Sequence, residues 1–291
     1  MHRALLMMLA AATMFGLMAF SAKIATGRLS GPEVAMIRMA VGLLPCIVIA
    51  RYRSAALHFR HLDLILYRGI FGGIAVMLYF LAIEHTTAGL ATLLNYTAPI
   101  WSGLFSMLFI GERVSAKVLL PLPVALTGVF LVMRAEPFRF ERWVIVGLLS
   151  AIASGAAVTA MRAARRDENS WSVYASFCFF VFLVNAPLEL RDWKMPAGSD
   201  WLALAATSLF AMGAQLLLTF SLRWVDAMTV GVISQLAVLI SMALGALFLH
   251  ERITAAAAIG SAMTIAGVVG VTYVTSLSKR TAAADEIVPE A

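Results

Sequence analysis

Ile110-Gly111-Glu112-Arg113-Val114-Ser115-Ala116 is answered, 139 residues later, by Leu249-His250-Glu251-Arg252-Ile253-Thr254-Ala255. Without a gap, the same offset carries Gly128-Val129 onto Gly267-Val268, Ala98 onto Ala237 and Ser102 onto Ser241. Backwards it carries Gly16 onto Gly155 and Lys23 onto Arg162. Apolar segments resemble one another by chance, but a Glu-Arg pair in register with several small residues points to two copies of one unit.

The solvent of that unit follows from composition. Of 291 residues, 62% are hydrophobic and 13% charged, whereas a water-soluble domain carries roughly 25% charged residues. Too few charges remain to cover the molecule, so the apolar surplus needs lipid. A hydrocarbon layer of about 30 Å takes about 20 apolar residues of helix. Breaks at charge, Gly and Pro clusters place spans near 4–24, 32–50, 64–83, 87–110, 116–133, 143–162, 171–189, 201–222, 227–249 and 255–275. Each copy then holds five spans, an odd number, so the second enters the membrane inverted. The expected fold is an all-α polytopic membrane protein of ten transmembrane helices in two inverted five-helix repeats, 1–139 and 140–278. A disordered cytoplasmic tail is expected at 279–291.

Met1-His2-Arg3 and the apolar run to Phe20 imitate a signal peptide, with Ala19 and Ser21 offering a cleavage site. The repeat argues for keeping this segment as the first span, because it has a partner in the second copy. Lys and Arg are more numerous in the loops on the N-terminal side, which places both termini in the cytoplasm of a cell (inner) membrane protein. The net charge of +6 forms no basic patch, so nucleic acid is excluded as a partner. Cys46 and Cys178 lie in apolar segments without CxxC or Cys/His spacing, and are read as small apolar fillers. No Walker loop or HExxH motif is present, and His85 and His250 sit at span ends without a facing nucleophile. Neither a cofactor, a metal nor an enzymatic activity is expected.

The run Leu93-Leu94-Asn95-Tyr96-Thr97-Ala98-Pro99 followed by Gly111-Glu112-Arg113, repeated more loosely before Glu251-Arg252, resembles the drug/metabolite transporter superfamily, and within it the members with two EamA-type repeats. Lys23 and Arg38 also match positions where that family often carries a base. The second copy departs from the pattern, with Val238 where the first has Pro99. The resemblance covers about residues 4–276. It implies ten helices, cytoplasmic termini, and transport of amino acids, related metabolites or drugs, often outward.

Candidate site residues come from the fourth span and its mate. Thr92, Asn95, Pro99, Ser102 and Ser106 recur at three and four, on one helical face. Their mates are Gly231, Ser234, Val238, Ser241 and Gly245. Such faces either line a central cavity or pack helix on helix. Asn95, Ser234, Gln235 and Gln215 are mid-span polar groups that lipid would penalise. Pro99 removes a helix hydrogen bond and should free the carbonyl of Asn95. Tyr79, Tyr96 and Trp101 could wall a ligand. Arg38, about 9 Å into the second span, either faces a cavity or snorkels, with Lys23 nearby; together they favour a carboxylate on the substrate. Glu112-Arg113 and Glu251-Arg252 read as solvated end charges or gate latches. No Asp or Glu sits clearly at mid-span, although Glu33, Glu84 and Asp226 lie at helix ends.

The expected function is a secondary transporter moving a small metabolite, an amino acid or related compound, outward by alternating access. Multidrug efflux and a non-transporting membrane subunit are the alternatives. The expected partners are a small-molecule substrate and membrane lipid, with a homodimer left open.

Overall fold

The structure is a computed structural model that describes residues 2–52, 61–110, 120–135, 141–164, 168–189, 193–221 and 227–285. Eleven helices occur among them: α1 (His2–Ala25), α2 (Gly31–Tyr52), α3 (Leu62–His85), α4 (Ala88–Asn95), α5 (Ala98–Ile110), α6 (Pro121–Ala135), α7 (Glu141–Ala164), α8 (Ser170–Glu189), α9 (Asp200–Ser221), α10 (Ala227–Phe248) and α11 (Ala255–Asp285). Six contain segments long and apolar enough to cross a membrane, and α6, α8 and α10 contain shorter apolar ones. The exteriors are apolar, with Leu6, Ile47, Leu66, Phe130, Leu209 and Ile259 exposed on six different helices. Polar residues such as Thr92, Ser102, Ser150, Asn185 and Thr207 are buried instead. That is the distribution expected where the outer solvent is lipid.

Two boundaries differ from the sequence reading. The fourth span, expected as one helix over 87–110, is broken at Tyr96–Thr97 into α4 and α5, so the eleven helices make ten crossings. Pro99 has no amide hydrogen and disfavours helical backbone just before it. The chain turns there, with the Thr97 and Ile100 amides donating to the Leu94 and Thr97 carbonyls at 3.1 and 2.9 Å. The second difference is at the C-terminal end, where α11 runs through Lys279 to Asp285. The boundary expected at 279 thus falls inside a helix, in an Ala-rich stretch of high helix propensity.

Helix pairing repeats with the period of the sequence. α1 packs on α9 and α10, and its mate α7 packs on α3 and on the α4–α5 pair. The pairs α2–α8 and α6–α11 map onto themselves. Glycines show the symmetry at atomic scale. A Cβ at Gly16 would lie 2.7 Å from Ile240 Cβ, and one at its mate Gly155 would lie 2.6 Å from Cβ of Trp101, the mate of Ile240. At the α6–α11 seam Gly128 lies against Thr264, while its mate Gly267 lies against Ala125, the mate of Thr264. In lipid, where apolar burial between helices gains little, such close backbone approach supplies the packing energy.

A Cβ at Gly128 would sit 2.5 Å from the Thr264 amide nitrogen and 2.6 Å from the Gly260 carbonyl oxygen. Those are backbone atoms that cannot swing aside. Gly128→Leu should therefore cost about 1–3 kcal/mol by forcing α6 and α11 apart. Thermal unfolding in detergent measures the loss, and an unchanged midpoint would contradict this seam.

Candidate functional site

A cavity of about 220 Å3 lies where the two repeats meet. α3 contributes residues from Arg68 to Tyr79, about 16 Å of helix at 1.5 Å per residue. Phe15, Met18, Val76, Met161, Phe177 and Leu218 give it apolar walls, and no Asp or Glu lines it among the described residues.

Of the residues proposed from sequence, Arg38, Tyr79, Asn95, Tyr96, Pro99, Gln215 and Ser234 line the cavity. The break between α4 and α5 brings Asn95, Tyr96 and Pro99 to its wall. Asn95 Nδ2 donates to Ser150 Oγ and Ser154 Oγ on α7, both at 3.0 Å. Both amide hydrogens are thereby used, and its carbonyl oxygen is what Asn95 has left for a ligand. Tyr79 Oη is paired with Thr92 Oγ1 at 2.9 Å, which holds its ring against the cavity.

Three proposed residues do not line it. Gln235, the repeat mate of Tyr96, donates Nε2 to the Tyr96 carbonyl at 3.3 Å. Asn95 was the carbonyl expected to be freed by Pro99, but the Gln235 bond goes to the next one along. The Ile100 amide bonds to Thr97 instead of reaching back to Tyr96, so one repeat closes the other's broken ladder. Trp101 packs against α7 at Gly155, with its indole nitrogen buried and unbonded among the described residues. Lys23 donates to the carbonyls of Ile83, Glu84 and Thr86 at 2.8, 3.0 and 2.5 Å, tying α1 to the C-terminal end of α3.

The small polar stripe divides in the same way. Ser102 bonds Thr159 on α7 at 3.1 Å and Ser241 bonds the Val238 carbonyl within α10, and neither lines the cavity. Gly245 leaves room for the Glu251 carboxylate, which would collide with any Cβ there. Glu251 is not a solvated end charge. Its Oε1 accepts from the Ala88 amide at 3.1 Å, capping α4 from the other repeat. Burial pushes its carboxyl pKa up, opposed by the Ala88 amide and the Lys23 charge. Glu84 Oε2 accepts from the Gly31 amide at 2.6 Å, Arg28 pairs with Asp200 at 3.2 Å, and the His85 ring stacks on Trp143 at 3.6 Å. Together these close one end of the bundle over the cavity. Arg252 is exposed, and Glu112, Arg113, Asp226 and the side chains of Ser106 and Gly231 lie outside the described residues.

Arg38 and Arg68 carry the electrostatics. Each is only 6% exposed, and neither has a carboxylate partner among the described residues. Arg38 lies 5.4 Å from the Phe80 ring centroid and Arg68 lies 4.2 Å from that of Phe177. Cation–π contact supplies about 0.5–2 kcal/mol, against several kcal/mol to bury an ion. The difference must come from what fills the cavity, water or an anion. Sequence reasoning did not single out Arg68; the signal it missed was Gly72, one turn further along α3.

Comparisons with known proteins bear on the family and the fold. The sequence profile of the EamA-like transporter family matches residues 2–134 and again 141–273. The pseudopaline exporter CntI of Pseudomonas aeruginosa is 29% identical over 257 residues, covering 87% of each chain. Human solute carrier family 35 member G1 is 25% identical over 226 residues, 72% of this chain and 61% of its own. A crystal structure 20% identical in sequence superposes with a TM-score of 0.67 over 96% of this chain and 99% of the other, which supports the fold. With two family units in tandem across nearly its whole length, in an all-helical bundle with lipid-compatible faces, the chain belongs to the EamA-like transporter family and is a multi-pass membrane transporter.

Proposed function

We propose that this chain is a secondary carrier that moves a carboxylate-bearing small metabolite, an amino acid or a related compound, out of the cell by alternating access. The observation that carries this reading is Arg38, a buried guanidinium facing a cavity at the junction of two inverted repeats, with no carboxylate partner among the described residues. A substrate carboxylate would supply the missing partner, and the Asn95 carbonyl oxygen could accept from an amino group on the same molecule. Outward direction is supported by the relative described as an exporter. The multidrug reading fits less well, because a cavity lined by two cations, with no acid among its described lining residues, repels lipophilic cations.

The test is flux from liposomes containing the purified chain, loaded with labelled amino acids or with tetraphenylphosphonium. Amino acid efflux above empty liposomes is expected, without cation efflux. Asn95→Leu should lower that flux about tenfold, the worth of one or two lost hydrogen bonds, while the protein still folds. Cation efflux without amino acid efflux would overturn the assignment.

A further inference from the structure

Arg68 lies about 9 Å from the N-terminal end of α3. Helical side chains lean toward the N-terminus, and a lysine or arginine at that depth ordinarily snorkels to the near interface. Arg68 does the opposite. One of its terminal nitrogens lies 2.5 Å from where a Cβ on Gly72 would stand, so the side chain runs deeper along α3 and Gly72 makes room for it. There it faces the Phe177 ring, lines the cavity, and keeps a buried Nε without a hydrogen-bond partner among the described residues. A charge turned away from nearby water and left incompletely bonded needs a ligand to complete it.

Arg38 faces the same cavity at the level of Phe80, and Arg68 reaches the level of Gly72. Along α3 these levels are about 12 Å apart. Allowing about 2.8 Å for a charge-assisted contact at each end leaves about 6 Å between two bound acidic oxygens. We infer that the substrate carries two acidic groups, one held by Arg38 and the other by Arg68 with Phe177 behind it, separated by a short chain on the scale of glutarate or adipate. The inference rests on the carrier reading above and narrows its substrate class from carboxylates in general to diacids.

Glutarate and its monoamide share one carboxylate and differ only in the second, so their affinities for the purified full-length protein, measured by calorimetry, separate the two arginines. The wild type should bind glutarate at least about tenfold more tightly than the monoamide, the difference between a charged and a neutral partner. In Arg68→Gln the two affinities should converge within about twofold, glutarate losing the more, and an unfolding midpoint no lower than that of the wild type reports a folded variant. Arg68→Lys should recover part of the preference. Equal affinities in the wild type, or equal weakening of both probes in Arg68→Gln, overturns the two-acid site while leaving a carboxylate at Arg38. Failure of both probes to bind the wild type removes the carboxylate reading itself and this inference with it.

Discussion

Flux through the Arg38→Met variant is expected to fall about a hundredfold or more, with no loss of thermal stability. A hydrogen bond to a charged group contributes about 1.5–3 kcal/mol, and removing one partner of a desolvated ion pair costs about 3–5 kcal/mol. About 2.7 kcal/mol already corresponds to a hundredfold change. Arg38 lies on α2 at the depth of Tyr79, at the closed end of the cavity, whereas Arg68 approaches from the opposite end of α3 and cannot take its place. The stability half of the expectation distinguishes a binding arginine from a structural one. Arg38 lacks a carboxylate partner among the described residues, and the Phe80 ring lies near its guanidinium. Replacing an uncompensated buried cation by a thioether of similar length removes a desolvation cost. The unfolding midpoint, measured without substrate, should therefore hold or rise. Arg38→Lys should keep part of the flux, having the charge without the planar fork. Retained flux in Arg38→Met, or a collapse in its stability, would assign Arg38 to the scaffold instead.

The inverted repeat was legible because its packing contacts are encoded in pairs. Gly16 and Gly155 match in sequence, and in space each admits the partner that the other's symmetry mate would be, Ile240 and Trp101. Much of the cavity wall was legible for a related reason, since Asn95, Gln215 and Ser234 are polar where lipid would penalise them. What stayed hidden depends on direction and on distant partners. Pro99 announces a broken helix, but only the fold shows that Gln235 restores the Tyr96 carbonyl. Lys23 and Arg38 look alike in sequence, two bases near the outer ends of neighbouring spans. One spends its charge on α3 carbonyls about 60 residues away, and the other faces the cavity. Arg68 was passed over because depth alone does not distinguish a snorkelling arginine from one folded inward. Ser102 shares the stripe of Asn95 but lies beyond the break, where the face packs on α7, and its repeat mate Ser241 bonds within α10.

Lys23→Met should loosen the closed end of the bundle by about 3 kcal/mol while leaving the affinity of the cavity nearly intact. The ammonium converges on two carbonyls of the last turn of α3 and on that of its C-cap Thr86, where the helix carries its negative pole. Methionine fills the volume and donates nothing, so part-buried acceptors lose their partner at about 1–3 kcal/mol each, discounted where water can reach them. Glu251, whose ionised form Lys23 favours, loses that support as well, although it keeps the Ala88 amide. α1, α3, α4 and the segment after α10 are thus held by one cation, and its removal should release them together. Amide hydrogen exchange measures this directly. Protection at Thr86, Ala88 and Leu90 should drop about a hundredfold, the equivalent of nearly 3 kcal/mol of local opening, while the α6–α11 seam keeps its rates. Lys23→Arg should not restore full protection, because a planar fork cannot aim three donors at one cluster of carbonyls as an ammonium can. Because Lys23 does not line the cavity, ligand affinity and closure separate in this variant, whereas in Arg38→Met affinity fails and closure survives. If exchange at Ala88 stayed at its wild-type rate, the end of the bundle would be held by the Arg28–Asp200 pair and the His85–Trp143 stack, with Lys23 a passenger.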